Sequence, residues 1–159
     1  MSSADILFSH NIKPSLIRVM IYDFLSDNRT HPTVDEIYTS LHEKAPTLSK
    51  TTVYNTLKLF CKAGITKMIT IEEQQARFDG CTDTHGHFLC SGCGKVFDFD
   101  TDIPSLGGLE DFEIATHDVY CSGVCKNCLK KGGYDEFFNY RHNQIFLIRI
   151  IVDMNIILE

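Results

Sequence analysis

Two C-x-x-C pairs, Cys90-Ser-Gly-Cys93 and Cys125-Lys-Asn-Cys128, stand 31 residues apart and constrain this chain more than any other feature. Each tight turn points both sulfurs the same way. Two pairs therefore complete a tetrahedral four-sulfur shell, the closed geometry of structural Zn(II). The intervening segment is longer than in a short zinc ribbon, so the shell would tie together a small domain rather than one knuckle. A redox pair and a disulfide remain alternatives. A redox C-x-x-C sits at a helix start after a strand in a βαβ unit, and no such unit is legible around these pairs. An odd count of seven cysteines leaves one unpaired in any all-disulfide scheme. The N-terminal residues lack the basic-then-apolar shape of a signal peptide, so the expected compartment is a reducing cytoplasm, where thiols hold metal.

Just before the first pair runs Asp79-Gly-Cys-Thr-Asp-Thr-His85-Gly-His87. In an extended segment His85 and His87 point to one face and can chelate one ion. Asp98 follows on an expected strand over 95–99. Nitrogen and carboxylate donors suit Zn(II), Fe(II), Mn(II) or Ni(II), in contrast to the all-sulfur site. The plain alternative is a half-exposed strand carrying two histidines.

The net charge of −6 is unevenly placed. Residues 1–64 carry seven Lys/Arg against six Asp/Glu, and residues 65–159 carry eight against fifteen. The near-neutral part reads as helices. Pro14-Ser15 precedes an apolar run from Leu16 to Leu25, stopped near Asp27-Asn28. Thr33 and Glu36 have the spacing of a capping box, placing a second helix through Ile37, Tyr38 and Leu41. A third is expected from about Lys50 to Ala63, with Gly64 as its stop. Val53, Leu57 and Phe60 form its core stripe, while Thr51, Tyr54, Asn55, Lys58 and Lys62 lie on the other side. Lysines for phosphates, with an amide and hydroxyls for base edges, suit a nucleic-acid groove. Read alone, the same pattern is an ordinary solvated face. Alternating residues over 65–71, a polar turn at 72–75 and a return at Ala76-Arg77-Phe78 add a β-hairpin. That order predicts a winged helix-turn-helix at the head of an α+β protein.

Taken in order, "HPTVDEIY", "LSKTTVYNTLKLF", "ARFDG", "HGHFLCSGCGKVFDF" and "GVCKNC" resemble the ferric uptake regulator (Fur) family of metal-dependent repressors, from about Lys13 to Lys131. The resemblance implies a winged-helix DNA-binding domain over 1–80 and a small α/β dimerisation and metal-binding domain over 81–133. Residues 134–159 are left as an apolar extension of unknown role. It implies structural zinc on Cys90, Cys93, Cys125 and Cys128, and a regulatory Fe(II) or Mn(II) on His31, Asp79, His85, His87 and Asp98. Asp79, where the iron-responsive branch typically has Glu, points to the peroxide-responsive (PerR) branch. Peroxide would then oxidise a ligand histidine, His31 or His85. The implied partners are a palindromic double-stranded DNA operator, read through Lys50, Thr51, Tyr54, Asn55 and Lys58, and a second copy of the chain. Neither a membrane nor a small-molecule substrate other than peroxide is expected, and the protein is expected not to be an enzyme.

Some residues depart from the family pattern. A second His/Asp/Glu site of the iron-responsive branch would use the positions of Thr84 and Gly86, neither a useful ligand, which leaves His117 without partners. An iron- or zinc-responsive repressor and a thiol redox switch using Cys61, Cys81 or Cys121 are the competing readings. A zinc hydrolase on the His-x-His lacks a nucleophile motif, and the deaminase H-x-E with P-C-x-x-C is absent. Residues 145–158 hold eleven apolar residues in fourteen, too short a run to span a bilayer as a helix.

Overall fold

Ile21, Ile37, Val53, Leu57 and Phe60 are fully excluded from solvent, and each comes from a helix whose polar residues cap it. The computed structural model describes residues 1–72, 75–101, 112–114, 117–131 and 149–151. The chain divides into two compact units, Met1–Asp83 and Thr84–Glu159.

In the first unit α1 spans Ser3–Ser9, α2 Leu16–Asp27, α3 Val34–His42 and α4 Lys50–Lys62. Serine or threonine caps all four. The capping box expected at Thr33 forms: the Glu36 amide donates to Thr33 Oγ1 at 3.2 Å and the Thr33 amide to Glu36 Oε2 at 2.7 Å. Ser49 caps α4 by accepting from the Thr52 amide at 3.1 Å. The helix ends at Ala63, followed by Gly64 with φ +72°, a conformation that costs a glycine little. α1 is absent from the sequence reading. Its seven residues make two turns, too few for an apolar stripe to show, and its only signal is the Ser2/Asp5 capping box. It buries Leu7 completely, and the Ser3 hydroxyl donates to Asp23 on α2. The expected third helix is therefore the fourth. Its core face holds Val53, Leu57 and Phe60 as expected, with Thr56 also buried. Strands β1 (Lys67–Ile69) and β2 (Arg77–Asp79) then pair antiparallel, Met68 opposite Phe78, as the wing.

The second unit is a sheet of order β4-β3-β5-β6. β3 (Gly86–Cys90) pairs antiparallel with β4 (Val96–Phe99) and parallel with β5 (Asp118–Gly123). The one-turn helix α5 (Lys126–Lys130) follows. β6 (Arg149–Ile151) lies antiparallel to β5 and falls within the apolar run of the sequence, whose other residues lie outside the described ones. Most of the segment between Asp98 and His117 lies outside them too. Gly86, between the two histidines, is opposite Phe99, whose ring occupies the space a Cβ would need. Among the described residues no helix is long and apolar enough to cross a membrane.

The core and the caps contribute on different scales. Phe60→Ala should cost about 3–5 kcal/mol by leaving a cavity, whereas Thr33→Ala should cost about 1 kcal/mol by freeing helix amides. Urea unfolding followed by circular dichroism checks both. Equal losses would mean that α4 does not hold the core described.

Candidate metal centres

Cys90 ends β3 fully buried, and the chain then turns back tightly, the Gly94 amide donating to the Cys90 carbonyl at 2.8 Å. The Ser91 amide and hydroxyl both donate to the Gly123 carbonyl, at 2.7 and 2.9 Å, so the first knuckle is stitched to the end of β5. Cys125 stands directly before α5 and Cys128 lies on it, which presents the second sulfur pair to the first. All four sulfurs lie within 4.8 Å of one another. Gly92 allows this approach, since a Cβ there would stand 3.2 Å from Cys128 Sγ.

The separation between Cys93 and Cys125 sulfurs, 3.9 Å, excludes a bond between them. It matches the spacing of about 3.8 Å for two thiolates each 2.3 Å from one tetrahedral ion. The four residues thus fit a metal of the zinc type by donor chemistry and by spacing. Their proton affinities already differ. Burial pushes the Cys90 thiol up, but the amides of Cys125, Cys93 and Gly92 outweigh it and hold Cys90 down at about 6. Cys128 is pushed up to about 12, chiefly because its thiol proton is bound by the Cys125 sulfur.

Beside the knuckle, β3, the residue that leads into it and β4 bring together His85, His87 and Asp98. His87 and Asp98 are register partners, and the two imidazole centroids are 4.5 Å apart. Asp98 Oδ1 is 3.5 Å from His85 Nε2 and 3.9 Å from His87 Nε2. His87 is buried and His85 partly so.

The other two expected ligands meet within the first unit. His31 precedes α3 and Asp79 ends β2, both buried, with His31 Nε2 3.8 Å from Asp79 Oδ1. Each of these gaps is too long for a hydrogen bond. Two ligands each 2.0–2.2 Å from an ion stand at most about 4.4 Å apart, so every pair leaves room for one. Asp79 Oδ1 also accepts from the Cys81 amide at 2.8 Å, which fixes the carboxylate. His31 adopts φ +51°, unusual for a residue with a side chain. Thr84 is exposed, and Gly86 offers no side chain.

On α4, Thr51, Tyr54, Asn55 and Lys58 are exposed together. Lys50 is exposed but ion-paired, its Nζ 2.8 Å from Asp35 Oδ1 on α3. Lys13 and Arg18 line a shallow groove with Thr52 and Asn55, and Arg18 donates to the Lys13 carbonyl at 2.6 Å. They escaped a reading confined to one helix face, because they precede α4 by more than thirty residues.

Residues 9–122 match the model of the ferric uptake regulator family. The chain belongs to that family. Its relatives include the peroxide-responsive repressor PerR of Staphylococcus epidermidis, 38% identical over 72% of this chain and 80% of the relative. PerR of Staphylococcus aureus strain USA300 is 39% identical over the same shares. The crystal structure of the Vibrio cholerae ferric uptake regulator superposes with a TM-score of 0.66 at 26% identity, covering 77% of this chain and 98% of that one. Helical head, wing and sheet thus share the fold of that regulator.

Thiol counting tests the cysteine cluster. With metal bound, a thiol reagent should find at most three reactive groups, Cys61, Cys81 and Cys121, and all seven once the chain is unfolded with chelator. Protons compete with the ion for the thiolates, so affinity should fall as pH is lowered. A zinc-binding dye would read that release. More than three thiols reacting in the loaded native protein would exclude a four-cysteine shell.

Proposed function

We propose that this member of the ferric uptake regulator family is a DNA-binding transcriptional repressor of the cytoplasm that reports peroxide through a regulatory metal ion. Zinc on Cys90, Cys93, Cys125 and Cys128 holds the second unit together. A single Fe(II) or Mn(II) takes His31 and Asp79 from the first unit and His85, His87 and Asp98 from the second.

The observation that carries the reading is where the ligands sit. His31 is attached directly to α3 through the capped turn at Thr33, and Asp79 ends the wing, so both are fixed to the DNA-binding unit. Of the other three, His87 and Asp98 are partners in one sheet and His85 leads directly into it. Ligands drawn from both units fix one relative to the other and select one arrangement of a homodimer. Two α4 helices so spaced read a near-palindromic operator. Asn55 and Tyr54 supply base-edge contacts, while Lys58, Lys13 and Arg18 supply phosphate contacts. With the Asp35 pair engaging Lys50 and a net charge of −6, non-specific affinity is modest and binding leans on the ordered dimer.

Fe(II) held by these residues would supply the redox chemistry that cleaves the peroxide O–O bond. The chain supplies the target and, overall, both electrons: one peroxide oxygen enters a ring C–H bond of His31 or His85, the other leaves as water, and the oxidised imidazole no longer serves as the same ligand. Asp79 in place of a longer Glu, and PerR relatives at 38–39% identity, favour this reading over an iron- or zinc-responsive repressor. The change consumes the protein rather than turning over a substrate.

Fe(II)-loaded protein treated with peroxide should gain one oxygen on the peptide carrying His31 or His85 and release operator DNA, while the Mn(II) form should do neither. Retained DNA binding with both peptides unmodified would defeat peroxide sensing. On the DNA side, Lys58→Ala should weaken binding to all sequences and lower the salt slope by about 1. Asn55→Ala should relax base preference by about 1–3 kcal/mol at one position. Electrophoretic mobility shifts across a salt series separate the two.

A further inference from the structure

We infer that Arg77 is a positioning residue for His31, the part that couples the wing to the metal-ligand turn. The inference rests on His31 being a regulatory ligand, as proposed above. Arg77 lies on β2 with its side chain only 11% exposed, deep burial for a guanidinium. Its Nη1 donates to the His31 backbone carbonyl at 3.2 Å. Its Nε and Nη2 both donate to Glu72 Oε1, at 3.0 and 2.9 Å, in the segment that leads out of β1. Nη1 is also 3.7 Å from Glu36 Oε2, the same oxygen that accepts the Thr33 amide in the α3 capping box. The guanidinium thus bridges both sides of the wing, the His31 carbonyl and the α3 cap.

The turn needs such a bridge. His31 at φ +51° is strained, and such strain persists only where the surroundings over-determine it. Pro32 restricts it further. Backbone contacts run alongside: the Phe78 amide donates to the Pro32 carbonyl at 2.9 Å, and Thr33 forms an isolated bridge with Arg77. These fix Pro32 and Thr33. The Arg77 contact reaches the His31 carbonyl itself. It accordingly sets the direction of the imidazole toward Asp79, two residues farther along the same strand. A shift of the wing is felt at His31, and the converse follows by linkage.

Lysine keeps the charge but not the fork, so Arg77→Lys separates the two. The test compares wild type, Arg77→Lys and Glu72→Gln in the zinc-loaded full chain. It reads Mn(II) affinity by titration, Phe78 and Thr33 amide exchange in the protein without Mn(II), and operator binding. Arg77→Lys should weaken Mn(II) binding about 10-fold or more, as outer-shell partners do, and speed exchange at both amides. Zinc content should stay at one per chain, and operator binding should recover at saturating Mn(II). Glu72→Gln should shift Mn(II) affinity in the same direction by less. Unchanged Mn(II) affinity in Arg77→Lys, with wild type responding normally, would overturn the positioning role. Loss of zinc or global unfolding in both variants would overturn it as well, by showing a general structural part. A wild type whose operator binding ignores Mn(II) would instead defeat the functional reading beneath it.

Discussion

The four sulfurs held within 4.8 Å of one another are the contact on which the second unit depends. The hydrophobic core of the described residues, from Leu7 to Phe78, lies wholly in the first unit. In the second, the buried apolar residues among those described are Cys90, Val96 and Tyr120. Cross-linking the end of β3 to α5 through an ion would add a constraint that these few buried residues do not supply. The same cross-link would also hold β3, the strand that carries His87 and follows directly on His85, and so present a preformed half of the proposed second metal site.

The first unit reaches a comparable end by other means. Its helices are anchored by capping side chains and packed on Phe60, and the ligand turn at His31 is held by hydrogen bonds from β2. Asp79 is fixed by the backbone two residues on. The two proposed half-sites are therefore each anchored within one unit, one on helix and wing, the other on and beside a sheet. An ion joining them would find its ligands already oriented, and its binding energy would go into relating the units rather than ordering loops.

Legibility in the sequence followed the range of the interaction. The Thr33 capping box, the α4 stripe, the Gly64 stop and the C-x-x-C turns are local patterns, and each appears where it was expected. α1 was not legible, because two turns carry no periodicity, although Ser2-x-x-Asp5 was a signal of the same kind as Thr33-x-x-Glu36. The contacts of Arg77, the pairing of Lys50 with Asp35, and the groove of Lys13 and Arg18 join residues far apart or on different elements, and no single-segment pattern encodes them. His85 and His87 were legible as a pair through strand alternation. Their meeting with Asp98 required the β3–β4 register.

The central claim is that one ion takes ligands from both units. Pulsed EPR of the Mn(II)-loaded, zinc-replete protein, with nitrogen couplings counted in wild type and in His31→Ala, tests it most directly. The account predicts couplings from three imidazoles in wild type and two in the variant. A wild-type spectrum that His31→Ala leaves unchanged would contradict it.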